Sequence, residues 1–407
     1  MRILFVAMSD SIHVARWLSQ LYDEKWDLHL FSSTDNVTIH PDLKYLTIYQ
    51  AFYSYQREID STVNIIGFPV FLKIFVRIGN KFLRCLNPSF RQRRLERIIE
   101  KIKPDIIHSM EFQSAGYLTL NVKSRSHDQF PPWVAANWGN DVYLFHRFPD
   151  HLEKIKGILK NSDYYLCECE RDMTLAKKLG LKAKPLPLLP ATGGFDLHYF
   201  STIGKKIPPS QRKLIMIKGY HGWAGRGLIA LDALELCKND LTGYTFAIYL
   251  ASPDVIKRVE MLSQSLRDKL EVIPYSPREK ILEYFGKARI HIGLSISDGT
   301  PNTMLEAMIM GAFPIQSNTA CADEWLEHGV SGLIVPPDDP STLASAIVKA
   351  ATDDDLVDTA AEINYKAARG RLSNEIIQPK VIEMYRWILR ENELNRPEEK
   401  VDTKEGP

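Results

Sequence analysis

Short apolar runs closed by glycine, proline or small polar residues alternate along this chain with stretches whose apolar positions recur every three or four residues. The first pattern reads as buried parallel strands and the second as helices packed on them. In the first half, strands are predicted at 3–8, 28–32, 106–109, 133–137 and 164–169, with helices between them, notably 12–22 and 91–101. Pro104-Asp105 stops the latter helix before Ile106-Ile107. A second series follows the loop 204–211, with strands at 213–218, 244–250, 270–273, 290–295, 313–317 and 333–335. The alternation predicts an α/β protein with parallel sheets. A chain of 407 residues has room for two such domains, each with its own core, joined near 195–210. The charged, Pro-containing tail 393–407 is expected to be disordered.

One stretch combines this pattern with chemistry. Apolar 290–296 reads as a buried strand, and Ser297-Asp298-Gly299 turns the chain. Thr300 suits an N-cap and Pro301 the first helical position, where its missing N–H is no loss. Gly311 suits the end of that helix. Backbone N–H groups should therefore point out of a glycine-bearing loop at the carboxyl end of a strand, an arrangement that suits an anion such as a nucleotide diphosphate. Asp298 and Glu306 lie across this loop, separated by seven residues. Taken singly, Asp298 would only complement the helix dipole and Glu306 would be a solvated helix residue.

The strand, turn, helix and paired acids together resemble the acidic-x7-acidic motif of retaining GT-B glycosyltransferases, family 4-like. The resemblance implies two Rossmann-like domains facing across a cleft: 1–200 on the acceptor side, and 201–373 holding the nucleotide-sugar donor. It also implies a last helix, 374–392, that crosses back to the first domain. In the family the first acid contacts the donor sugar, the second holds the ribose, and loop amides bind sugar and phosphate. Asp298 is thus expected as a catalytic residue, with Gly299, Thr300, Pro301, Asn302, Thr303 and Glu306 at the donor. Family members usually carry Glu at the first position, so the shorter Asp298 marks where this chain departs.

Other strand ends carry further candidates. Met216-Ile217-Lys218-Gly219 ends a strand, and Gly225-Arg226-Gly227 opens a helix, so Lys218 and Arg226 flank a glycine-rich loop. Two cations there suit a diphosphate whose charge grows as the sugar–phosphate bond breaks. The family carries its Arg after the strand's Gly and its Lys five residues on, whereas here Lys218 precedes Gly219 and Arg226 takes the other place. His108, at the end of Ile106-Ile107-His108, matches a family histidine near the donor sugar; the other reading is a satisfied core histidine. Glu111 and Gln113 follow as acceptor-side candidates or ordinary loop polars. In Asn137-Trp138-Gly139-Asn140-Asp141, Trp138 suits the C–H face of a sugar. Asp141 either meets an acceptor hydroxyl or holds its loop in an Asx turn. The loop after the first strand lacks the family's Gly-Gly, so Ser9, His13 or Arg16 must substitute for backbone contact, unless they only cap and solvate the helix. Gly193-Gly194-Phe195-Asp196 resembles the family's hinge.

Charge changes the picture locally. Overall, 51 Lys and Arg against 50 Asp and Glu predict no nucleic-acid partner. Within 65–103, however, ten Lys and Arg face two Glu and are interleaved with Phe68, Phe71, Phe75 and Phe82. That segment suits an anionic membrane surface, or else is a basic helix whose apolar face packs on the core. The five cysteines are odd in number, show no metal-ligand spacing and suggest a reducing cytoplasm, with the inner face of the membrane as a peripheral location. Met1 to Ala7 is too short for a signal peptide, and no apolar run reaches membrane-spanning length.

The expected function is retaining transfer of a sugar from a nucleotide-diphosphate sugar to a hydroxyl of a glycan or lipid-linked acceptor, in cell-surface polysaccharide synthesis. No metal or other cofactor is expected, because the leaving phosphate itself can take the acceptor proton. The competing readings are a nucleotide-sugar epimerase of GT-B fold and a donor-binding subunit without catalysis.

Overall fold

The computed structural model describes residues 1–34, 38–54, 59–69, 89–126, 130–203 and 207–394. Two separate sheets form, and every strand pair in them is parallel. The first has eight strands in the spatial order Val63–Pro69, Leu46–Ser54, Asp27–Ser32, Arg2–Ala7, Ile106–Met110, Trp133–Ala136, Tyr164–Leu166 and Lys184–Pro185. The second has six, in the order Leu270–Val272, Thr245–Tyr249, Leu214–Lys218, Ala288–Gly293, Phe313–Ser317 and Leu333–Val335. Apolar residues on both faces of each sheet are buried against the crossover helices, as parallel sheets require. Three strands go beyond the sequence reading: Leu46–Ser54, Val63–Pro69 and the two-residue edge Lys184–Pro185. The strand expected at 164–169 ends at Leu166, so Cys167 and Cys169 lie beyond it.

In each sheet the order of strands reverses once, between Arg2–Ala7 and Ile106–Met110 and between Leu214–Lys218 and Ala288–Gly293. Ligands of open parallel sheets collect at the carboxyl ends of the strands flanking such a reversal. Topology alone therefore singles out the loops after Ala7, Met110, Lys218 and Gly293.

The chain crosses between the halves twice, and the crossings run side by side. Phe195 donates its N–H to Leu372 O (2.8 Å) and accepts from Asn374 N–H (2.9 Å). Gly193 has φ +69°, a conformation glycine takes without strain. The helix Asn374–Leu394 then buries Ile377, Val381, Met384, Tyr385 and Ile388 in the core of the first sheet. At about 1.5–3 kcal/mol for each such side chain, this docking is strongly favourable.

The basic segment divides. Residues 70–88, including Lys73, Arg77, Lys81, Arg84 and three of its phenylalanines, lie outside the described residues. Phe90–Ile102 is a helix whose Leu95, Ile98, Ile99 and Ile102 are buried, so its apolar stripe belongs to the core. No helix among the described residues is long and apolar enough to cross a membrane. The tail positions 395–407 also lie outside the described residues.

Candidate active site between the two sheets

The strand Ala288–Gly293 leads through 294–300 into the helix Asn302–Ile309, with Pro301 as the residue that precedes the first turn. Thr300 does not cap it: its Oγ1 accepts from Trp325 Nε1 (3.2 Å) and its N–H donates to Glu168 Oε2 (2.9 Å). The Gly299 N–H turns onto Asp298 Oδ1 (3.0 Å). The loop amides expected to face an anion are thus engaged at 299 and 300. Met304 and Leu305 both donate to Pro301 O, which leaves Asn302 and Thr303 as the donors of the first turn. Asn302 is fixed by Thr192 Oγ1, which donates to its Oδ1 (2.9 Å).

Glu306, one turn on, is buried between two cations. Its Oε1 accepts from Arg278 (Nε 2.9 Å, Nη2 2.8 Å) and lies 3.4 Å from Arg16 Nη1. Each guanidinium rests on an aromatic ring, Arg16 on Phe195 at 4.3 Å and Arg278 on Phe200 at 5.2 Å. Burial, reinforced by repulsion from Arg278, lowers Arg16 to about 10, still charged at neutral pH. Both cations approach the same oxygen, so Oε2 carries none of these contacts. Glu306 is therefore an oriented carboxylate with one oxygen directed elsewhere, which suits a diol.

The two cations expected at the diphosphate fare differently. Lys218 Nζ stands 4.0 Å from Asp298 Oδ2 at the mouth of the second sheet. Arg226 is engaged locally: its Nε pairs with Asp338 (2.6 Å) and its Nη1 donates to the carbonyl of Gly225 (3.0 Å). In this structure its guanidinium ties down its own loop, with further contacts to the carbonyls of Gly222 and Ala224. Gly219 is required where it stands, because a Cβ there would come within 2.4 Å of Ile248 Cγ2 and 2.9 Å of Ala251 Cα.

On the first sheet's side, several candidates are structural. Ser9 is buried, bonded to Ser32 Oγ (3.2 Å) and Thr38 O (3.1 Å). Glu111 takes φ +76° and folds its carboxylate onto the N–H groups of Ser114 and Ala115, capping the next turn. Asp141 accepts from the N–H groups of Phe112 and Trp138 (both 2.8 Å), so it joins two loops, though not as an Asx turn, since both donors precede it; burial and the neighbouring Glu111 push its carboxyl well above the usual range. Gln113 donates to Asp141 O (3.2 Å). His13 and Trp138 remain as a pair, edge to face at 5.5 Å. Burial, then Arg16 and Lys218, lower His13 to about 4, so it is neutral.

His108 is fully buried and packs against Tyr385 of the returning helix. Tyr385 Oη lies 2.6 Å from His108 Nδ1 and accepts from Trp17 Nε1 (2.9 Å). The hydrogen bond to Tyr385 engages Nδ1 and orients the imidazole ring. Burial lowers His108 to about 3, and Nε2 has no partner. The ring lines a cavity of about 10 Å³ with Trp17, Asn137, Trp138 and Glu168, room for one water-sized group.

Glu168, Arg171 and Arg278 were not anticipated. Glu168 Oε1 accepts from Ala191 N–H (3.1 Å) while Oε2 holds Thr300, so one carboxyl joins the two halves. Arg171 Nη2 donates to Asp298 O (2.8 Å) and its Nη1 to Thr319 O (2.9 Å). A glutamate directly after an apolar strand was the only available sign of the first. Burial raises Glu168 to about 8, with Asp298 adding to the shift. The native state therefore prefers the protonated acid. The stability this confers is fully present below about 4.5 and is lost as pH rises through about 8. Glu168→Gln is expected to flatten the fall in thermal midpoint between about pH 5 and 8. Superimposable pH curves for the two proteins would contradict this.

The halves meet where Gly139 faces Gly299. A Cβ on Gly139 would lie 1.7 Å from Gly299 N. At the rim, exposed Trp223 lies 6.0 Å from Phe145 of the first half.

Comparison with known proteins places this arrangement. Residues 221–353 match the family model for glycosyl transferases group 1, and residues 74–168 match that for glycosyl transferase 4-like domains, together more than half the chain. An amylovoran biosynthesis glycosyltransferase of Erwinia amylovora is 28% identical over 128 residues, 30% of this chain and 31% of that protein, so the match spans about a third of the relative's length. Sucrose-phosphate synthase from Thermosynechococcus elongatus superposes with a TM-score of 0.71 at 14% identity, over 96% of this chain and 100% of that one. Anabaena HepE, solved with UDP and glucose, gives 0.66 at 15% identity, over 95% and 100%. At such identities the likeness is one of fold. The chain belongs to the group 1, family 4-like glycosyltransferases and has their GT-B fold.

Proposed function

We propose that this chain is a retaining glycosyltransferase that moves a sugar from a nucleotide-diphosphate sugar to a hydroxyl of a glycan or lipid-linked acceptor in polysaccharide synthesis. The observation that carries the reading is Glu306, buried, doubly braced by Arg16 and Arg278, and one turn inside the helix at the second sheet's reversal point. HepE, which shares the fold, was solved with UDP and glucose and with UDP-glucose, which makes a uridine diphosphate sugar the first donor to try. The ribose diol would meet Glu306 Oε2. The diphosphate would lie between Lys218 and the first-turn N–H groups of Asn302 and Thr303, which favour an anion.

The chemistry follows from charge. As the sugar–phosphate bond lengthens, positive charge grows on the ring and negative charge on the leaving diphosphate. Lys218 and the helix terminus stabilise the second. Asp298, 4.0 Å from Lys218, stands where a sugar hydroxyl or the developing cation would lie. The neutral His108, oriented by Tyr385, presents Nε2 beside the small cavity next to Trp138. The leaving phosphate takes the acceptor proton, so no carboxylate is needed as base. His13, Trp138 and Trp223 offer ring faces for acceptor sugars. A lipid-linked acceptor would bring the basic segment 65–103 to an anionic bilayer.

A thermal-shift panel of nucleotide sugars tests this reading. One donor is expected to raise the midpoint at micromolar concentration and to be consumed only with acceptor present. Conversion of the donor sugar without acceptor would identify an epimerase. Binding without transfer or hydrolysis would identify a non-catalytic subunit, and no shift from any nucleotide would overturn the reading.

A further inference from the structure

Cys169 and Cys321 come from different halves of the molecule, 152 residues apart in sequence, yet their sulfur atoms lie 2.6 Å from each other. Both side chains are buried. The separation is well inside the non-bonded contact of two sulfurs and only somewhat longer than an S–S bond of roughly 2.05 Å. Asp172 lies close enough to complete a three-residue metal cluster. Its oxygens, however, are taken by Arg171 Nε (2.9 Å) and Asn137 Nδ2 (2.8 Å). Thiolates sharing a cation at about 2.3 Å from each sulfur must also stand much farther apart than these do. The geometry suits a covalent link and not a metal.

The pair sits inside the seam that closes the cleft. Cys169 precedes the helix Glu170–Lys178, whose first N–H groups, Glu170 (3.0 Å) and Arg171 (3.1 Å), donate to the carboxylate of Glu324 from the other half. Cys321 donates its backbone N–H to Gly299 O (3.0 Å), next to Asp298, whose carbonyl accepts from Arg171. We infer that Cys169 and Cys321 form a reversible interdomain disulfide that locks the two halves together at the wall of the donor site. One thiolate attacks a low-molecular-weight disulfide and expels one of its thiolates. The second cysteine then attacks that mixed disulfide at the protein sulfur, loses its proton to solvent and expels the other thiolate. Two protein thiols are oxidised and one small disulfide is reduced to two thiols. Both side chains are buried in the closed seam, out of reach of a small disulfide, so the exchange proceeds from an open state.

Joining residues so distant in sequence restrains the unfolded chain and the opening of the cleft alike. The full chain is treated with glutathione disulfide, then alkylated, digested and weighed. A linked pair of peptides carrying Cys169 and Cys321, about 2 Da lighter than the sum of the free peptides, is expected. Two of the five thiols should disappear. The thermal midpoint should rise by several degrees and fall back with dithiothreitol. Cys169→Ala and Cys321→Ala should each abolish the rise. Turnover of the oxidised protein should drop about tenfold or more and recover on reduction, if opening loads the donor. Retention of all five thiols, or linkage of either cysteine only to glutathione, would overturn the inference. The mass, thiol and thermal readouts are independent of which sugar the protein transfers.

Discussion

Replacing Glu306 with Gln is expected to weaken nucleotide binding by about 10–100-fold, because a hydrogen bond to a charged group contributes about 1.5–3 kcal/mol where a neutral one contributes less. The substitution keeps the shape of the side chain and an acceptor oxygen, so the loss isolates the charge. A second effect accompanies it. Arg16 is largely buried and Arg278 partly so, and both would lose their shared anion. Breaking a buried pair by removing one partner costs about 3–5 kcal/mol, and the partial exposure of Arg278 places this case toward the low end. The unliganded variant should therefore melt earlier as well as bind less. Calorimetry with the nucleoside diphosphate separates the two effects, since the binding loss is read on folded protein. Unchanged affinity would remove Glu306 from the donor site.

Gly139→Ala is expected to produce the other large effect, and for a different reason. The new Cβ would meet Gly299 N at 1.7 Å, Gly299 Cα at 2.3 Å and the Asp298 carbonyl carbon at 2.6 Å. All three are backbone atoms, so no rotamer change relieves the clash and the loops must part. Asp298 would move away from the first half, and a displacement of about 1 Å at a reacting centre costs on the order of a hundredfold in rate. Donor affinity should change little, because Glu306, Lys218 and the helix Asn302–Ile309 all belong to the second half. The expected signature is a fall in kcat with the nucleotide Kd nearly preserved. Wild-type turnover would show that these loops do not meet in the working enzyme.

The sequence carried the sheet order poorly and the strand positions well. Apolar runs located eleven of the strands because burial on both faces leaves a continuous signal. Leu46–Ser54 was hidden by its interspersed Thr47, Gln50 and Ser54, and Val63–Pro69 by Asn64, Gly67 and Pro69, which break up its apolar run. The helix with Glu306 was legible from Asn302 to Gly311 because glycine and proline punctuate it locally. What was not legible depends on distant partners. Arg226 occupies the place the family pattern suggests, and its partner Asp338 lies far along the chain. Arg278 lies near no motif, and only folding brings it to Glu306. His108 sits on a predictable strand, but the partner that orients its ring, Tyr385, comes from the returning helix. Ser9, Glu111 and Asp141 looked like site polars because side-chain type cannot show whether a backbone N–H has already claimed the oxygen.

The most direct measurement follows the anomeric proton by NMR while the protein, the donor selected by thermal shift and an acceptor glycan react. Retaining transfer between the two halves predicts a new glycosidic signal with the anomeric configuration of the donor, formed only in the presence of acceptor and greatly slowed in Glu306→Gln. A product of inverted configuration, or donor turnover that ignores the acceptor, would contradict it.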